Sequence, residues 1–371
     1  MKKKNKISKV ITILVFVLLG AVVGFMGARF GVLAAETIPA NIAIGLAILA
    51  IPSFLFVIAF HELGHAFAGI KMNFDFRMLV VGPFMWDKEQ EGWKFKWNKN
   101  VNVSGGLVIC LPTGNERLSQ RFSIYAAGGP VASLLLAAIA FASQKLMEQL
   151  ATNDVLHLIS YLLSMTAFLS LIIFIVTVIP VHVGGFSSDG ARILRFAKGG
   201  EPAAFELLIL KMIGLSTAGT RPKLYNKNEL EEAMVLAEKI NAPFGVYLYA
   251  YGHQMAFDDG DIELAEKYLL EYASRADEVP EGMRSAVWMD AAFFYAFAMK
   301  DLPRATEYWE KFKPSAILPK AQVLATEAAF AFLRAERELM LNKIEAAMKE
   351  LPNMIDRGLA VALREKLEKL S

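Results

Sequence analysis

His61 and His65 stand four residues apart around Glu62 in the run Phe60-His61-Glu62-Leu63-Gly64-His65. On a helix this spacing stacks two imidazoles on one face, one turn apart. Two such nitrogens can grip one metal ion, and a carboxylate beside them can handle a proton. The chain has only five histidines, so chance pairing at this spacing around a Glu is a poor explanation. The plain alternative is a soluble helix with two surface histidines. The preceding run argues against it, because Ile42 to Phe60 is apolar except for small residues and Pro52. Ionisable groups at membrane depth are costly and point to function.

A third donor is sought at matching depth. The segment Pro180-Val181-His182-Val183-Gly184-Gly185-Phe186-Ser187-Ser188-Asp189-Gly190 follows another apolar run that ends on the same side as the first. Asp189 is therefore a candidate third metal ligand, with N-capping of the next helix as the competing role. His182 fits a supporting or loop position better than a ligand.

The elements that must position these groups follow from hydropathy and charge. The chain has 371 residues, 55% of them hydrophobic, which suits a membrane protein carrying a soluble part. Four spans are expected, near Val10–Val32, Ile38–Gly69, Phe122–Leu146 and Val155–Pro180. Five lysines precede the first, and its apolar stretch exceeds a signal-peptide core, so it reads as a retained span. From Ile38 to His61 a helix rises about 34 Å, close to one hydrocarbon thickness. Seven Lys and Arg fall in the 66–120 loop and none at 33–39 or 147–154, which places both termini and the histidine pair on the cytoplasmic side of a cell membrane, of bacterial plasma-membrane type. Pro52 is expected to loosen its helix.

Between the second and third spans, Phe76 to Trp86 and Trp93 to Trp97 read as a membrane-associated β-hairpin, and Val101 to Cys110 as a further strand. The hairpin is either simply packed or offers the 76–86 strand as an edge for an extended peptide.

Residues 1–200 carry 18 Lys and Arg against 10 Asp and Glu, and residues 201–371 carry 21 against 27. The shift near Gly199 divides the chain into a basic membrane half, 1–198, and an acidic all-α half, 199–371. Asp261, Ala265 and Tyr268 recur as Asp301, Ala305 and Tyr308, and then as Asn342 and Ala346. This suggests stacked helix pairs with a surface for a protein partner. Nothing in the charge pattern calls for nucleic acid. The lone Cys110 excludes internal disulfides and a cysteine zinc site. The fold class is thus mainly α, a polytopic helix bundle with a β-hairpin followed by a soluble helical-repeat region.

The membrane half resembles the site-2 protease family of intramembrane zinc metalloproteases. HELGH (His61–His65), AGGP (Ala127–Pro130) and DG (Asp189–Gly190) occur in that family's order, over about half of the chain. The resemblance implies Zn2+ held by His61, His65 and Asp189, with Glu62 as general base. It also implies a membrane-protein or signal-peptide substrate in the bilayer. Two departures stand out: Thr177 replaces an expected Asn, and eight residues separate Pro180 from Asp189. The helical half loosely resembles tetratricopeptide repeats. Two other readings compete. One is a prenyl-protein protease, which needs a later Glu ligand, Glu201 or Glu206. The other is a catalytically silent membrane scaffold, for which Glu62 would have no use.

Overall fold

The computed structural model describes residues 38–89, 92–98, 105–114, 116–183, 186–242, 245–279, 283–314 and 318–371. The expected span at 10–32 lies outside them.

Three helices among the described residues are long and apolar enough to cross a membrane: α1 (Ala40–Lys71), α2 (Leu118–Leu150) and α3 (Asp154–Val178). Ile44, Ile48, Ile51 and Phe67 of α1 are each more than half exposed, a surface that lipid tolerates and water does not. α1 continues through Pro52 to Lys71. Asn153 caps α3 by accepting from Leu156 N. At the same end, Asn41 Nδ2 donates to Asp154 Oδ2 at 2.7 Å. The beginnings of α1 and α3 therefore lie together, so these two helices run parallel and finish on one side. α2 packs against both. Glycines allow α1 and α2 to meet backbone to backbone: a Cβ on Gly128 would overlap the Gly64 carbonyl and come within 2.7 Å of Ala68 Cβ.

Four strands lie between α1 and α2: β1 (Phe74–Val81), β2 (Phe84–Glu89), β3 (Gly92–Trp97) and β4 (Leu107–Pro112). They form an antiparallel sheet in the order β3-β2-β1-β4. The expected 76–86 strand is in fact two strands, broken at Gly82, whose φ of +55° turns the chain. Nor does it offer an edge. β1 is paired on both sides and β2 lies between β1 and β3, so the edges belong to β3 and β4. Strand propensity found the segment, but the pairing order depends on the late strand β4. The β1–β2 turn rests on Leu55, six residues or about 9 Å before His61 along α1. β3 exposes Trp93, Phe95 and Trp97; Phe95 meets Phe84 and Trp86, and Trp97 meets Phe84, in tilted or edge-on ring contacts.

After α3, a short two-stranded ribbon, β5 (His182–Val183) and β6 (Phe186–Ser187), leads into α4 (Asp189–Lys198) and α5 (Glu201–Thr217). The helices beyond are α6 (Lys227–Ile240), α7 (Tyr247–Asp259), α8 (Ile262–Ser274), α9 (Arg284–Phe297), α10 (Leu302–Lys311), α11 (Lys320–Leu333), α12 (Arg337–Glu350) and α13 (Arg357–Leu370). Helices α7 to α12 pack as consecutive pairs. The sequence repeat is explained in its first two copies: Asp261 and Asp301 cap α8 and α10, and Ala265 and Ala305 are wholly buried behind them. The third copy is out of register. Asn342 is exposed inside α12, which begins at Arg337, and Met340 fills the place of the buried alanine.

The two halves touch. Leu210 of α5 belongs to the apolar cluster of Phe74, Val108 and Phe122, while Met212 joins the cluster of Leu230 and Leu248. Arg357 of α13 reaches Asp75 of β1 at 3.2 Å.

Candidate metal centre

His61 and His65 occupy one face of α1, buried against α2. Their Nε2 atoms are 3.2 Å apart. Asp189 is the first residue of α4. Because α3 runs parallel to α1, the chain leaving it returns to the histidines' level. Asp189 Oδ2 lies 3.5 Å from His61 Nε2 and 3.4 Å from His65 Nε2. The capping role weighed for Asp189 falls to its neighbour: Ser188 accepts from Ala191 N, and its hydroxyl also donates to Ile179 O at 2.7 Å. That clasp pins the loop and leaves the Asp189 carboxylate free to face the imidazoles. A Cβ on Gly190 would overlap the Val178 carbonyl, so the second residue of α4 must be glycine where the helix passes α3.

The far nitrogens of both rings are already engaged. His65 Nδ1 is 2.9 Å from Tyr125 O, a pure acceptor, so the proton sits on Nδ1 and Nε2 keeps its lone pair. Gly129 N also points at this nitrogen, at a longer 3.3 Å, so the shorter contact to the Tyr125 carbonyl sets the tautomer. His61 Nδ1 meets Ser133 Oγ at 2.9 Å, and Ser170 Oγ donates to Ser133 O at 2.8 Å. Serine can accept from His61 in the same sense. Three lone-pair donors would then converge on one point, a set that fits a cation.

The donor set fits zinc. Four-coordinate zinc with bonds of about 2.0–2.1 Å has ligand-to-ligand edges of about 3.3–3.4 Å, against the 3.2 to 3.5 Å found here. Among the described residues no other three His, Cys, Asp or Glu side chains cluster in this way. Gly129 completes the cradle. A Cβ on it would fall within 2.6 Å of His61 Nε2 and closer still to His65 Nε2, in the space a metal would need.

Glu62 is half-buried beside the pair. The chain entering β4 crosses it at Gly106, whose φ is +112° and whose Cβ would stand 2.5 Å from Glu62 Oε1. Both the backbone angle and the close approach call for glycine here. The alternative ligands are elsewhere: Glu206 pairs with Arg195 and Arg192, and Glu201 with Lys239. The side chain of His182 lies outside the described residues. Sequence reasoning missed Ser133 and the Tyr125 carbonyl. Ser133 follows Gly129 by four residues, so the helical period alone places it on the face that meets the histidines.

Residues 49–155 match the family model of peptidase family M50, the site-2 protease family. The matched segment holds the histidine pair, Glu62, the sheet and the Gly128–Gly129 crossing, but ends before Asp189. It supports a membrane metalloprotease. Neither the curated proteins nor the solved structures contain a match.

Proposed function

We propose that this chain is an intramembrane zinc endopeptidase that cuts peptide bonds in or near transmembrane segments. Residues 1–198 form the membrane-embedded protease, and residues 199–371 a cytoplasmic helical region that carries partners. The observation that carries this reading is the convergence of two imidazoles and one carboxylate within 3.5 Å at the end of a membrane-length helix.

His61, His65 and Asp189 would hold the ion, leaving a fourth position open. Zinc bound there supplies a Lewis acid for the scissile carbonyl and lowers the pKa of water toward about 7. Glu62 takes the proton from the attacking water and delivers it to the leaving amide nitrogen, so the new carboxylic acid and amine account for every atom of water. Ser133 and the Tyr125 carbonyl hold the rings in the tautomer that presents Nε2. A transmembrane helix resists cleavage because its carbonyls are already hydrogen-bonded, so it must be drawn out. The start of β4 at Gly106 and Leu107, which lies on Glu62, is the place for an extended substrate. The apolar β1–β2 turn and the exposed aromatics of β3 suit the lipid boundary beside it.

The class of substrate is a membrane-anchored regulator or a signal-peptide remnant. The test is membrane proteomics of cells carrying the natural chain or Glu62→Gln. Cleavage predicts uncut membrane segments accumulating with Glu62→Gln and co-purifying with it. Identical membrane proteomes, with full complementation by Glu62→Gln, would favour a non-enzymatic scaffold instead.

A further inference from the structure

The helical region contains a cavity with no part in the chemistry above. It has a volume of about 40 Å³ and lies where α7, α9, α11 and α13 meet. One water needs only about 10–15 Å³, so this partly open space holds a small polar head but not a whole drug-sized ligand. Its walls are mixed. Phe257 and Phe293 supply rings, while Asp290, His253 and Gln322 supply acceptors.

Asp290 is the unusual member. Among the described residues its carboxylate has no ion pair and no hydrogen bond. The cation in the cavity wall, Lys366, is committed elsewhere: its Nζ lies 4.4 Å over the Phe257 ring and 3.8 Å from Asp258 Oδ1. His253 donates from Nδ1 to the Ala265 carbonyl at 2.9 Å, which leaves Nε2 as a second acceptor. Burial holds the His253 imidazole down to about 4, and thus neutral, and pushes the Asp290 carboxyl up to about 7, which a cationic partner would reverse. A divalent metal is a poor fit, because Asp290 and His253 form no three-donor cluster. Aromatic walls with an unpaired carboxylate suit an organic cation.

We propose that this cavity is a receptor for the ammonium or guanidinium end of a longer ligand with an apolar stem. The head pairs with Asp290, and the stem runs outward along the paired rings of Phe257 and Phe293, whose centroids are 6.1 Å apart. Two sources offer that chemistry, a Lys or Arg side chain on a partner polypeptide and a free alkylamine. The site is independent of the metal centre, so it stands or falls apart from the protease reading.

The test uses the full-length protein in detergent and three probes: an acetylated pentapeptide with a central lysine, n-butylammonium, and n-butanol as the neutral match. Binding is followed by saturation-transfer NMR. Saturable binding of either cationic probe, weakened at least tenfold in Asp290→Asn, supports the proposal. A preference for the peptide identifies a polypeptide partner, and a preference for n-butylammonium a small amine. Asp290→Asn keeps side-chain shape and removes an unpaired charge, so it is expected to melt no lower than the natural chain at pH 8. Phe293→Leu serves as a second variant and should weaken both cations while leaving Asp290 in place. No saturable binding of either cation, equal binding by Asp290→Asn, or equal binding of n-butanol would overturn the proposal.

Discussion

Gly129→Ala adds one methyl group, and its consequence can be worked out from the site. The new Cβ would sit within 2.6 Å of His61 Nε2, 2.7 Å from His61 Cε1, and closer still to His65 Nε2. An ordinary carbon–nitrogen contact needs about 3.5 Å, so the imidazoles must retreat by about 1 Å. A zinc bond of about 2.0–2.1 Å does not survive such a shift. Loss of one imidazole ligand should lower zinc affinity at least 100-fold, about 2.7 kcal/mol. The neighbouring Gly128→Ala provides the contrast, since its methyl meets the Gly64 carbonyl and Ala68 Cβ on α1 rather than the donors. That variant should lose thermal stability and yield, because two helix backbones must part. The assay is competition for zinc with a chromophoric chelator in detergent, alongside melting curves. Gly129→Ala is expected to fold and release zinc. Natural-level zinc affinity in Gly129→Ala would refute the reasoning, since it would mean that the space over the two nitrogens is not where the ion sits.

Three further outcomes are expected. Ser133→Ala strands the His61 Nδ1–H in a place water does not reach, and should cost 10–100-fold in zinc affinity, with Ser133→Thr restoring part of it; the same chelator titration measures both. Gly106→Ala should keep its zinc but lose at least tenfold in cleavage rate, because its methyl presses on Glu62 Oε1 and its φ of +112° strains any larger residue; zinc content and a reporter-substrate assay separate the two effects. Asp290→Asn should stabilise the protein in a pH-dependent way. The Asp290 carboxyl rises from 3.8 to about 7 on folding, so between about pH 4 and 7 the unfolded chain gives up a proton that the folded chain keeps, and stability falls as pH rises. Roughly three pKa units set an upper limit of about 4 kcal/mol for that loss. The difference in melting temperature between variant and natural chain should therefore be near zero at pH 4 and reach several degrees at pH 8.

The parts legible in the sequence were those with a local signature. Two histidines at helical spacing, long apolar runs and an Asp-Gly after the last of them pointed to α1, α2, α3 and the three side chains that the fold brings together, because each signature depends only on near neighbours. What escaped depends on distant ones. Ser133 meets His61 across 72 residues, and no spacing rule names that pair. The free strand edge was misassigned because β1 is covered by β4, about thirty residues later. The recurrence of Asp and Ala in the sequence matched the structure where an Asp caps a helix and a small Ala packs behind it, at Asp261 and Asp301. It was misplaced at Asn342, where Met340 packs instead. Ser188 could have been read, since a serine just before the helical Asp-Gly is an N-cap signal. It would have released Asp189 from the capping role from the outset.

The most direct test is the zinc content of purified full-length protein, natural and Asp189→Ala, with Glu62→Gln as a control. The account expects one zinc per chain in the natural protein and in Glu62→Gln, and little or none in Asp189→Ala. A full complement of zinc in Asp189→Ala would contradict it, because a carboxylate that lies 3.4 Å from His65 Nε2 would then not be holding the ion.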